Sequence, residues 1–279
     1  MKSDEPSRMA LMVARQRAAH QLLDHGAIVD DPYAVRILGE HEDNVLQALN
    51  DHPLMSSMGR LFTAARSRIA EDALSKAVER GVRQVVILGA GLDTFALRNP
   101  HAARIRVFEV DHPATQAWKR QRLVGAELAP PPWLTFVSVD FEQDDLQQKL
   151  SSAGFQRSSA AFFTWLGVVP YLTRDAIDDT LGYIASIPNS EVVFDYAEPP
   201  ETLSEDVKAY AAARMAQLEK INEQWVSRFE PAGVAAILRS HGFADMEDVS
   251  FQQVVSMFGR HVQGLATAQA GLHVVHAKH

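Results

Sequence analysis

The chain has 279 residues, of which 47% are hydrophobic and 22% charged, with a formal net charge of −8 and no cysteine. That is enough for one large α/β domain with an elaboration, or two small domains, and the missing thiols exclude disulfides, thiolate nucleophiles and cysteine-based metal sites. The acidic balance argues against nucleic acid as a partner. No apolar run is long enough to cross a membrane, and the opening MKSDEPSRMA has no signal-peptide core, so the cytoplasm is the expected location.

No internal repeat or low-complexity linker interrupts the chain. Residues Ser7 to Leu23 are predicted helical, a break follows at Asp30-Asp31-Pro32, where proline is placed to open a helix, and a helix from about Pro53 runs on through Arg80 to Gly81. Strands are then predicted at Gln84–Leu88, Ile105–Val110, Leu134–Val139, Ala160–Leu166 and Glu191–Tyr196. Helices lie between them, including Pro113–Leu123, Glu142–Leu150 and one capped by Thr173 and running through about Ile184. Such alternation predicts a parallel sheet with right-handed crossovers. It breaks at a predicted helical insertion over about 201–228. Helix Pro231–His241 and strands Met246–Val249 and Leu272–Ala277 close the pattern. His273, His276 and His279 near the C-terminus are read as solvent-facing.

The most informative words are Val85–Thr94, VVILGAGLDT, and Phe108-Glu109-Val110-Asp111 about twenty residues later. A strand, a glycine turn and a downstream acid suit a nucleotide-bearing cofactor. The turn brings backbone N–H groups to the ligand, and the acid accepts from ribose hydroxyls. Thr94 stands where a dinucleotide fingerprint has its third glycine, the one that lets a helix sit close under a pyrophosphate. This favours S-adenosyl-L-methionine (SAM), which has ribose and adenine but no phosphates, over a nicotinamide dinucleotide. An NAD(P)-dependent oxidoreductase stays open as an alternative, as does a catalytically idle SAM-binding protein. Of the two acids, Asp111 is preferred to Glu109 because it ends the strand.

The segments ARSRIAEDAL (65–74), VVILGAGLDTFALR (85–98), VFEVDHP (107–113) and FFTWLGVVPYLT (162–173) together resemble the leucine carboxyl methyltransferase-like family, over roughly residues 5–245. Its members include bacterial, notably actinobacterial, SAM-dependent O-methyltransferases. The resemblance implies a Rossmann-like α/β class I methyltransferase: a mostly parallel seven-stranded sheet with helices on both faces. It implies a helical N-terminal cap over 1–64 and a SAM-binding domain over 65–279. By position it implies that Arg66 pairs with the cofactor carboxylate and that Gly89, Ala90 and Gly91 admit the methionyl and ribose part. Asp111 would take the ribose hydroxyls, Asp140 and Phe141 the adenine, and Leu166 would offer backbone groups. Two departures stand out: Phe95 follows the GAGLDT threonine where relatives have arginine, and Leu166 replaces the glutamate of carboxyl methyltransferases.

Methyl transfer from a sulfonium is an in-line displacement, so alignment is the main task of the protein. The expected acceptor is a small-molecule carboxylate or hydroxyl, on a hydrophobic acid or polyketide-like metabolite, entering between the N-terminal segment and the 201–228 insertion. Trp165, Tyr171, Phe194 and Tyr196 are its aromatic candidates, each also readable as core. His112 and His25 are read as structural or surface residues, and no metal site or catalytic base is assigned.

Overall fold

A computed structural model describes residues 7–51, 57–140, 143–220, 223–262, 265 and 270–279. The apolar runs form one sheet: β1 (Gln84–Leu88), β2 (Arg106–Asp111), β3 (Leu134–Ser138), β4 (Ala161–Trp165), β5 (Glu191–Ala197), β6 (Asp245–Ser250) and β7 (Leu272–Lys278). Their order is β3-β2-β1-β4-β5-β7-β6. The first five are parallel, and β7 slots antiparallel between β5 and β6. The chain leaves β1 for β2 on one side, and β4 pairs on the other. The carboxyl end of β1 is therefore the topological switch point, where open α/β sheets hold ligands.

Eleven helices are described: α1 (Arg8–Asp24), α2 (Ala34–Leu38), α3 (Glu42–Asp51), α4 (Ser57–Glu79), α5 (Phe95–Arg98), α6 (Pro113–Gly125), α7 (Leu146–Ser152), α8 (Arg174–Ala185), α9 (Glu205–Lys220), α10 (Pro231–Ser240) and α11 (Phe251–Phe258). Alternation along β1 divides the core. Val85 and Ile87 face α4 and α11, while Val86 and Leu88 face α7, α8 and α10. A third cluster joins α1, α2 and α3 to Leu92 of the glycine turn and Leu123 of α6.

Two helices had no counterpart in the pattern, α3 and α11. The second starts at Ser250, whose side chain and that of Gln253 close a capping box. That S-x-x-Q signal is present in the sequence. The predicted helix over 201–228 is shorter, α9 alone. The N–H groups of Val226 and Ser227 bond Pro170 O, and that of Phe229 bonds Ala197 O, so tertiary partners take donors that a helix would use. The boundary expected between residues 64 and 65 falls inside α4.

Two of the terminal histidines, His273 and His276, are a correction, whereas His279 is exposed as expected. All three sit on or beside β7, which is an interior strand rather than a frayed tail. His273 is 7% exposed and bonds Asp248 (2.9 Å) and Glu198 (3.1 Å), His276 bonds Glu191 (2.9 Å), and His279 packs edge-on against Phe243. Burial alone would lower the pKa of His273, but the two carboxylates outweigh it and raise it.

Charge fastens the N-terminal helices to the turn after β1. Arg17 of α1 donates to Asp93 Oδ2 (3.2 Å) and to Leu92 O. Thr94, fully buried, donates to Asp31 Oδ2 at 2.5 Å, and Arg98 forks onto Glu71 of α4 at 2.7 and 2.6 Å. The residue in place of the third glycine is thus a hydrogen-bond donor to the cap. Thr94→Val keeps the shape and deletes the donor beside a buried carboxylate. It should lower the unfolding free energy by about 1–3 kcal/mol in urea titrations, with Thr94→Ser recovering most of the loss. Equal stability of the Val variant and the parent would show that the bond contributes nothing.

Candidate functional site

The turn after β1 is built by the neighbouring strand. Gly89 and Ala90 both donate their N–H to Val110 O (2.9 and 3.1 Å), leaving Gly91 to donate to Asp111 Oδ2 (2.5 Å). Gly89 and Gly91 have φ of +66° and +49°. A Cβ would lie 2.4 Å from Val168 Cγ2 at the first and 3.0 Å from Ala10 Cβ at the second. Only glycine fits either place.

The two acids of β2 are separated by their surroundings. Glu109 is 1% exposed and tied to Lys119 of α6 at 2.5 Å, with its second oxygen unpartnered. Asp111, half-buried at the strand end, accepts from the N–H of Gly91 and His112. Burial raises the pKa of both; for Asp111 these N–H bonds and Lys119 oppose the shift. Asp93 is held low: burial raises it, but Arg17, Lys119 and Arg98 outweigh that. Asp140 sits at the end of β3, where its carboxylate accepts from Gln143 (2.9 Å). Phe141 lies outside the described residues.

Arg66, on the buried face of α4, reaches over Gly167. It donates to Asp195 Oδ2 at 2.9 Å, while Asp195 Oδ1 accepts the Gly167 N–H at 2.6 Å. Asp195 lies inside the otherwise apolar run VVFDYA of β5 and was not singled out; a lone acid within a buried strand was the available signal. Leu166 turns away and packs in the α4 layer. Above the Arg66–Asp195 pair lies an open-mouthed cavity. Its walls are Met9 and Met12 of α1, Met58 and Phe62 of α4, Trp225 and Phe251.

Of the aromatic candidates, Tyr171 lines this cavity, whereas Trp165, Phe194 and Tyr196 pack in the opposite core layer. His112 is the N-cap of α6 and accepts from the Ala114 N–H (3.3 Å); His25 ends α1 in a left-handed conformation. Neither lines the cavity. Among the described residues no group of three His, Asp or Glu could hold a metal, and no helix is long and apolar enough to cross a membrane.

The fold, with its glycine turn and strand-end acid at the switch point, is that of a class I SAM-dependent methyltransferase. The residues present fit that cofactor: a glycine turn of positive φ, a strand-end carboxylate hydrogen-bonded to it, and an arginine in the wall of the cavity, which the glycines and Asp111 do not themselves line. The leucine carboxyl methyltransferase family matches residues 10–185, and the chain belongs to it. YktD of Bacillus subtilis strain 168, named as a SAM-dependent methyltransferase, is 30% identical across 99% of both chains. A Mycolicibacterium smegmatis protein so named is 31% identical over 90% of this chain and 79% of its own. Among solved structures, the CurJ carbon methyltransferase is similar in fold at a TM-score of 0.51 and 18% identity, covering 97% of this chain and 66% of its own. A Bordetella parapertussis protein has the same TM-score at 16% identity, covering 97% and 95%. The chain is a SAM-dependent methyltransferase, and the oxidoreductase alternative falls.

Glu109 makes the stability of the fold sensitive to pH. Burial foremost, with Asp93 and Asp111 nearby, pushes its pKa from 4.5 up to about 7 against the pull of Lys119. The folded state therefore keeps a proton that the unfolded chain releases. The stability this group contributes is present at the acid end of that window and lost as pH rises through about 7. Glu109→Gln, which cannot exchange that proton, should lack the fall in stability that the parent shows in urea between about pH 5 and about pH 7, so the difference between parent and variant shifts in favour of the variant over that range. No such shift over that range would mean that Glu109 is ionised throughout.

Proposed function

We propose that this enzyme methylates an ionised carboxylate oxygen of a small hydrophobic acceptor whose body lies against the Met9, Met12, Met58 and Phe251 walls of the cavity, away from the Arg66–Asp195 pair. The observation carrying this reading is the chemistry of the cavity wall. Among the described lining residues there is no histidine, lysine or glutamate, and the one carboxylate, Asp195, already accepts a hydrogen bond at each oxygen. Tyr171 is a phenol, and phenols ordinarily ionise near pH 10.

Energy favours a carboxylate acceptor over a hydroxyl. A phenol must lose its proton, which at pH 7 costs about 4 kcal/mol, three pH units at about 1.4 kcal/mol each. A positioned base would normally offset that cost. A carboxylic acid with a pKa near 4 arrives ionised. Apolar walls with three methionines suit a hydrophobic body of adaptable shape rather than a charged peptide tail.

In this reading Gly89, Ala90 and Gly91 cradle the cofactor, Asp111 takes its ribose, Asp140 and Leu166 border it, and Arg66 receives its carboxylate in a charge-assisted fork. When bound, SAM supplies an electrophilic methyl group. The protein holds the acceptor oxygen in line and keeps water out. Residues 1–64 serve as a cap on a binding domain over 65–279, with the 201–228 insertion at its rim. Secondary metabolism and the cytoplasm are the setting we favour.

The test is transfer of label from methyl-labelled SAM to a panel of aryl-alkanoic and medium-chain acids and to matched phenols and alcohols. The label should enter the acids as base-labile methyl esters, with kcat flat between about pH 6 and about pH 9, because the acceptor is ionised throughout. Base-stable methyl ethers, with kcat climbing with pH, would overturn the carboxylate reading. Silence across the panel and broad metabolite extracts would favour a protein that binds SAM without turnover.

A further inference from the structure

Arg66 and Asp195 place opposite charges side by side in an apolar wall, and both line the same cavity. Their side chains are 9% and 5% exposed. The register of β4 on β5 pairs Trp165 with Phe194, so Asp195, still within β5, comes abreast of the point where β4 ends and the chain turns through Leu166 to Gly167. Gly167 then passes so close beneath the guanidinium that a Cβ there would stand 2.9 Å from Arg66 Nη2. A cation, an anion and a glycine floor are thus set in one spot.

An anionic ligand end would be attracted by Arg66 and repelled by Asp195. An ammonium alone would meet the reverse. The end complementary to both is an α-amino acid, whose carboxylate and ammonium sit on one carbon. We infer that Asp195 is the anionic half of an amino-acid clamp, taking the α-ammonium of the cofactor's methionyl group while Arg66 takes its carboxylate. This rests on the assignment of Arg66 made under the proposed function.

Asp195 has the capacity for this. Each of its oxygens accepts one hydrogen bond, from Arg66 and from Gly167, and an ionised carboxylate offers about four lone-pair sites. The Gly167 N–H and the Arg66 guanidinium together aim the carboxylate. A buried pair of this kind gives little net stability over an apolar replacement, so recognition is the better account of its place in a cavity wall.

The test is calorimetry with three ligands: S-adenosylhomocysteine, its desamino analogue, which keeps the carboxylate and lacks the ammonium, and 5′-methylthioadenosine, which lacks the amino acid altogether. Asp195→Asn keeps an oxygen for the Gly167 N–H and removes the charge. It should weaken S-adenosylhomocysteine by about tenfold or more while leaving methylthioadenosine unchanged. The native protein should lose a similar factor on passing to the desamino analogue, and the variant should lose almost none. If the variant weakens both carboxylate-bearing ligands equally, Asp195 only positions Arg66 and the clamp is wrong. Should the variant not fold, equal affinity of the native protein for S-adenosylhomocysteine and its desamino analogue overturns the proposal by itself, and a loss of about tenfold upholds it. Arg66→Ala separates the two layers of inference. If it leaves S-adenosylhomocysteine binding intact, the site assignment fails; if it weakens binding while Asp195→Asn does not, the clamp alone fails.

Discussion

The turn between β1 and α5 is gripped from two directions, and the rest of the site depends on that grip. From below, the sheet takes the N–H groups of Gly89 and Ala90 through one carbonyl, Val110 O. That fixes the start of the turn and leaves Leu92, Asp93 and Thr94 beyond the reach of any strand. From above, Arg17 and Asp31 supply what is missing: two donors for Leu92 O and Asp93, and an acceptor for the Thr94 hydroxyl. The helix bringing Arg17 there meets the cluster through Ala14, Ala18 and Ala19. Small side chains bury little apolar area, but they let a helix approach closely, and close approach is what a charge-assisted bond across elements requires.

The same sheet imposes a rule on every acid placed inside it. Parallel strands with helices on both faces are apolar on both sides, so an ionisable group there must be paired. Glu109 has Lys119, Glu191 has Arg80 and His276, and Asp195 has Arg66. On β5, alternation sends Asp195 to the cavity, whereas its neighbour Tyr196 points to the other layer, where it donates to Asp248 and stacks on His273. A slip of one residue in that strand would exchange a cavity-lining acid for a core phenol.

This also explains what could be read in the chain beforehand. Strands buried on both faces announce themselves as apolar runs, and β1 falls on the predicted residues, Gln84–Leu88. The glycine turn and the place of Asp111 at the end of β2 were legible because each belongs to a local word. The cap's grip was not, because Arg17 and Asp93 are 76 positions apart and Thr94 and Asp31 63 apart; no local pattern encodes such a pair. Helix α11 was legible in its cap, but its apolar content reads equally well as a strand continuing β6. The histidines of β7 misled for a physical reason. Nearness to a terminus suggests solvent, yet the last strand of this topology is inserted into the middle of the sheet.

Helix α1 joins the two halves of the chemistry. Ala10 packs on Gly91, Arg17 holds the turn, and Met9 and Met12, on an adjoining face of the same helix, form one wall of the cavity. A helix is stiff along its length, so a change that tilts it to admit a bulkier acceptor also shifts Ala10 against the glycine turn. Widening the wall through α4 or α11, at Met58 or Phe251, leaves Ala10 and Arg17 where they are. Under the proposed placement of the acceptor in this cavity, variation of its shape therefore belongs on the α4 and α11 side, while α1 couples the width of the cavity to the geometry of the turn.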